Sequence, residues 1–126
     1  MIMKGYTDIE QSKKLAKILP IDSADMFHFI HEVDTVGFGY KKDAAEFYSK
    51  TKFEYIPCWS LAALLEVVKT HSIRLEIALR ADKNYNIFAV YGDFVFRSFD
   101  DFPDGFDTLV DACVAMIESL HELNLL

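Results

Sequence analysis

From Ile73 to Arg80 the side chains alternate, with Leu75, Ile77 and Leu79 on one side and Arg74, Glu76, Ala78 and Arg80 on the other. A period of two is that of an extended strand with one buried face. Asp82-Lys83-Asn84 then supplies turn chemistry, Tyr85–Tyr91 reads as a second strand, and Gly92-Asp93 as a turn into a third, Phe94–Phe99. Strands this close in sequence pair as an antiparallel meander. The middle strand is apolar on both sides, with Ile87, Ala89 and Tyr91 against Phe88 and Val90, so other elements must cover it.

Helical patterns supply that cover. Thr7 with Glu10 fits a capping box for a helix from Asp8 to about Leu19, with Lys13, Lys14 and Lys17 on its wet side and Pro20 beyond its end. The run from Ile56 to Val68 is apolar except at Ser60 and Glu66, and with Pro57 in its first turn it reads as a central, mostly buried helix. Leu109, Val110, Cys113, Met116, Ile117, Leu120 and Leu123 recur at helical spacing, which predicts a C-terminal helix from about Thr108 to Leu123. The expected fold is α+β, a three- to four-stranded antiparallel meander packed with N-terminal, central apolar and C-terminal helices. One domain over 1–126 is expected, with a surface insertion at about 35–55 where the chain turns polar and Asp43–Ser49 suits a short helix.

At 126 residues, 52% hydrophobic and 14% aromatic, the chain is too apolar for a disordered acidic segment. It is an acidic protein of formal charge −7, which disfavours capture of nucleic acid. The densest basic stretch, Lys41, Lys42, Lys50 and Lys52, is offset by Asp43 and Glu46. Two cysteines outside any Cys-x-x-Cys pair fit a reducing compartment, and the Met1-Ile2-Met3-Lys4 start lacks the apolar run of a signal peptide. No apolar stretch approaches the ~20 residues of a membrane span, so a cytoplasmic setting without membrane contact is expected.

Three groups of residues are candidates for chemistry. Asp25, His28, His31 and Glu32 would offer metal ligands on one side of a helix, but on a strand the odd separation puts His28 and His31 on opposite faces. The aromatic and β-branched content of Ala24–Val33 favours the strand, so neither metal nor cofactor is expected. Cys58, at the predicted start of the central helix, would be favoured as a thiolate there. With Trp59 and His28 it marks the place for a pocket, if the protein were a small enzyme or a small-molecule-binding domain. No nucleophile, base and orienting residue stand at recognisable spacing, so no catalytic residue is assigned.

The third group is acidic and aromatic. Asp100, Asp101, Asp104, Asp107 and Asp111 crowd the approach to the last helix, Glu118 and Glu122 prolong the acidic side, and Phe99, Phe102 and Phe106 are interleaved. Helix capping by Asp107 or Thr108 and turn formation account for part of this, whereas Ca²⁺ binding lacks the required ligand spacing. The expected interaction surface is Phe99, Asp100, Asp101, Phe102, Asp104, Phe106, Asp111 and Glu118, serving a protein partner. Apolar residues on both sides of the third strand add a homodimer as an expectation.

Ser23-Ala24-Asp25-Met26, Ile56-Pro57-Cys58-Trp59-Ser60-Leu61-Ala62-Ala63-Leu64-Leu65, and Asp111-Ala112-Cys113 with Met116-Ile117 and Leu120-His121 resemble small uncharacterised proteins of bacteriophages and mobile elements of anaerobic gut bacteria. The stretch from Thr35 to Tyr55 departs from that pattern. The resemblance implies a genomic setting and carries no activity, so the expected role is a non-enzymatic interaction or accessory protein.

Overall fold

A computed structural model describes residues 4–71 and 74–126; Ile73, which opens the alternating run, and residues 1–3 of the chain start lie outside the described residues. The fold is α+β, with two antiparallel three-stranded sheets. The chain divides into two compact units, one formed by Tyr6–Ala63 and the other by Leu64–Leu126 with the chain start through Gly5.

The first unit opens with α1, Ile9–Ala16. Its cap is Asp8, whose carboxylate accepts from the Gln11 amide while the Gln11 side chain accepts from the Asp8 amide, a capping box set one residue later than Thr7 and Glu10 would have placed it. Thr7 is unavailable as a cap because its hydroxyl is committed to the core, as described below. After a 3-10 turn at Ile21–Ser23 come β1, Met26–His31, and β2, Val33–Phe38. Glu32 joins them at φ 70°, a left-handed conformation that closes the tight hairpin. Helix α2, Lys42–Ser49, leads to β3, Glu54–Cys58, and the strand order is β2-β1-β3. The stretch expected as an insertion therefore supplies most of β2, all of α2 and the first residues of β3. None of the residues of α2 is fully buried.

The strand β3 corrects the start of the central helix. Pro57 sits opposite Phe27 on an outer strand, where its missing N–H costs no ladder bond on the open side, and Cys58 pairs with Met26. Helix α3, Leu61–His71, begins later, where the Ser60 hydroxyl accepts from the Ala63 amide. Asp25 holds that cap in place: its carboxylate accepts from both the Ser60 amide (2.9 Å) and the Ser60 hydroxyl.

The two faces of the β2-β1-β3 sheet differ. Met26, His28, Ile56 and Cys58 are buried on one, and α1 packs on β3. The other carries an aromatic cluster in which the Tyr55 ring stacks with Phe27 (4.7 Å), Tyr40 (5.2 Å) and Tyr48 (5.6 Å). The Phe27 ring lies across Gly37 on the neighbouring strand, so close that a Cβ there would meet its Cζ at 2.6 Å.

The second unit holds the expected meander: β4, Arg74–Leu79, β5, Tyr85–Tyr91, and β6, Phe94–Arg97, with β5 central. The third strand ends earlier than the sequence suggests, because Ser98–Asp101 turn into the short helix α4. Ser98 closes the strand by accepting the Ile87 amide with its hydroxyl, the bond that a further ladder residue would have made. Helix α5, Leu109–Glu122, is capped by the Thr108 hydroxyl and packs on β5 through buried Val110, Cys113, Met116, Ile117 and Leu120. At its far end Asn124, at φ 57°, and Leu125 return amides to His121 and Leu120, a Schellman closure. No helix among the described residues is long and apolar enough to cross a membrane.

Candidate functional site

The acidic and aromatic stretch forms a braced loop at the end of the β4-β5 hairpin. Arg80 begins the brace by donating to the Pro103 carbonyl. Asn84 Nδ2 donates to the Asp104 carbonyl at 2.8 Å, and Tyr85 and Phe106 exchange both backbone hydrogen bonds at 2.8 and 2.9 Å. Gly105, at φ 72°, lies 2.9 Å from the Tyr85 carbonyl at its Cβ position, so this close approach requires glycine.

On that frame the loop displays what it cannot bury. Phe99, on α4, is 49% exposed and Phe102 is 38% exposed, with Phe102 packed on the half-buried Phe106 at 4.7 Å between ring centres. Asp100, Asp101 and Asp104 are exposed around them. Of the acidic residues grouped with this stretch, Asp111 stands in the first turn of α5 and is ion-paired to Lys4 at 2.8 Å. Glu118 lies two turns further along the same helix, half-buried. The loop residues are thus drawn together, while Asp111 and Glu118 belong to the α5 surface.

In the first unit Cys58, Trp59 and His28 are also drawn together, around Thr7, but as a closed polar core. Thr7, Cys58 and Trp59 have no exposed surface, and His28 is 1% exposed. The Thr7 carbonyl accepts from His28 Nε2 at 2.8 Å and from the Cys58 thiol at 3.4 Å, while the Thr7 hydroxyl accepts from the Trp59 amide at 3.1 Å and meets Ser12 Oγ at 2.8 Å. Because a carbonyl can only accept, His28 Nε2 carries hydrogen. Its Nδ1 faces both oxygens of Asp34 at 3.0 and 3.1 Å. The Trp59 indole donates to Ser23 Oγ at 2.9 Å.

This arrangement does not activate a nucleophile. The imidazole spends Nε2 on a carbonyl, and the thiol gives its hydrogen to the same oxygen. Burial pushes the Cys58 thiol above its ordinary range, opposite to the direction a helix start would give, and Cys58 ends a strand as a small buried side chain. His28 lies within β1 and is buried, whereas His31, at its end, is exposed and packs edge-on against Phe53. Among the described residues no group of His, Cys, Asp or Glu is gathered in a way that could hold a metal ion. An open hollow is lined by Pro20, Ile21, Asp22, Ala24, Tyr40 and Lys42; Thr7, His28, Cys58 and Trp59 are not among its lining residues.

Nothing local in the sequence marks Thr7 or Asp34 as a partner of His28. Comparison with protein-family models, curated proteins and solved structures finds no match to this chain.

Proposed function

We propose that the chain is a non-enzymatic interaction protein that engages a protein partner through the loop carrying Phe99, Asp100, Asp101, Phe102 and Asp104. The observation that supports this is the pairing of exposed aromatic side chains with a backbone tied to a hairpin by Arg80, Asn84 and Tyr85. Aromatic anchors give disproportionate binding energy, and a loop already fixed loses little entropy when it docks. The carboxylate rim favours a partner with a basic surface and speeds encounter with it. The resemblance to proteins of phages and mobile elements supports looking for that partner in the host cell, in the cytoplasm, where the two free, buried cysteines stay reduced.

The closed packing around Thr7 favours this reading over a small enzyme with a pocket at Cys58 and Trp59. The test is capture from host lysate with the wild type and with a Phe99→Ala/Phe102→Ala double variant at low and moderate salt, followed by reconstitution with the purified captured protein. The reading expects binding that weakens as salt rises and falls about tenfold or more in the double variant. Equal binding by both proteins would remove the loop from the interface.

A further inference from the structure

Strand β4 is an outer strand with an open edge, and its pattern is self-complementary. The Arg80 amide donates to the Asn84 carbonyl at 2.8 Å, which fixes the parity of the β4-β5 ladder. Even-numbered residues (Arg74, Glu76, Ala78) turn their backbone groups to β5, and Leu75, Ile77 and Leu79 point theirs outward. The parity of β5 agrees, for Tyr85 bonds on the other side, to Phe106. The residues with free edge groups are also the apolar ones, and Ile77 is 39% and Leu79 61% exposed. The strand has no proline, lysine or bulge to discourage pairing, features that outer strands commonly use.

We propose that this edge is completed by the β4 strand of a second copy of the chain, antiparallel, with the two-fold axis at Ala78. Charge disfavours the registers centred at Glu76 and at Ile77. An axis at Glu76 would set two carboxylates face to face, and an axis at Ile77 would set Arg74 against Arg80 of the other copy. With the axis at Ala78, Glu76 faces Arg80 of the other copy twice over. Ile77 then faces Leu79 twice, through residues whose outward N–H and C=O groups meet as hydrogen-bonded pairs. The smallest side chain of the strand falls on the axis, in a non-hydrogen-bonded pair where the backbones come closest, about 4.5 Å between Cα atoms. The β4-β5-β6 sheets of the two copies join into one of six strands. This interface is separate from the loop bearing Phe99 and Phe102, and does not depend on the role given to that loop.

The register makes a specific chemical test available. An Ala78→Cys variant places two thiols across the axis within reach of a disulfide, against a low background because Cys58 and Cys113 are buried. Under mild oxidant it should become a cross-linked species of twice 14.5 kDa, much faster than a control cysteine at exposed Asp93. Light scattering at micromolar concentration should give twice 14.5 kDa for the wild type and for Phe99→Ala/Phe102→Ala, but 14.5 kDa for Ile77→Lys. A monomeric wild type, or cross-linking at Ala78→Cys no faster than at Asp93→Cys, would overturn the proposal. Faster cross-linking through Ile77→Cys than through Ala78→Cys would overturn the register.

Discussion

Replacing Thr7 with valine tests whether the buried core of the first unit is held by hydrogen bonds or by shape alone. Valine keeps the volume and branching of threonine and removes only the hydroxyl. In the wild type that hydroxyl accepts from the Trp59 amide at 3.1 Å and meets Ser12 Oγ at 2.8 Å, with no solvent exposure at Thr7. Ser12 has a fallback in the Thr7 carbonyl, 3.5 Å away, but the Trp59 amide has no water to turn to. An orphaned buried donor costs about 1–3 kcal/mol, so about 2 kcal/mol is expected for Thr7→Val. Thr7→Ser keeps the hydroxyl and loses one buried methyl, at about 0.5–1.5 kcal/mol. The larger loss should therefore come from the variant that better preserves shape. Trp59 is the one tryptophan in the chain and lies in the same unit, so its fluorescence in a urea titration reports on this core. For an m-value of about 2 kcal/mol/M, Thr7→Val should lower the midpoint by about 1 M with m unchanged. A Thr7→Val protein as stable as the wild type, or more stable than Thr7→Ser, would show that shape and not the Thr7 hydroxyl holds this core.

Other outcomes follow from the same geometry. Ser60→Ala deprives the Ala63 amide of its cap and Asp25 of a partner, and should cost about 1–2 kcal/mol, read by circular dichroism through thermal unfolding. Gly37→Ala forces the Phe27 ring off the sheet and away from Tyr55, and should cost about 1–3 kcal/mol by overpacking; a neutral result would mean that the ring stack is not fixed. Burial pushes the Cys113 thiol up to about 12, from 9.0. Between those values the unfolded chain gives up a proton that the folded chain keeps, so stability should fall as pH rises from 9 towards 12, by at most about 1.4 kcal/mol per pH unit from this thiol. Burial raises Tyr91 as well, adding to the same slope. Cys113→Ala should flatten the slope in urea midpoints measured across that range; an unchanged slope would show that the thiol does not contribute.

The second unit was the more legible in sequence because its signals are local. Period-two alternation from Leu75 to Leu79, turn residues at Asp82–Asn84 and Gly92-Asp93, and the recurrence from Leu109 to Leu120 each require one kind of element, and they occur as β4, β5, β6 and α5. In the first unit the deciding interactions are distant. The apolar run from Ile56 is equally compatible with strand and helix, and the division at Ser60 is set by Asp25, 35 residues earlier. Thr7 is well placed to cap α1 by its position in sequence, yet its hydroxyl is taken by Trp59. In β2, Gly37 is a poor strand former on its own and is covered by the Phe27 ring from the next strand. The loop from Phe99 to Phe106 was visible as a composition, but its bracing depends on Arg80 and Asn84, about 20 residues away, and could not be inferred from spacing.

The most direct test of an interaction role is a hydrogen–deuterium exchange footprint of the chain with its captured, purified partner. Exchange should slow over Ser98–Phe106 and stay unchanged at Thr7, His28 and Cys58, which are already closed off from solvent. Protection confined to Pro20–Ala24 and Tyr40–Lys42, around the open hollow, would contradict this prediction and move the functional surface to the other unit.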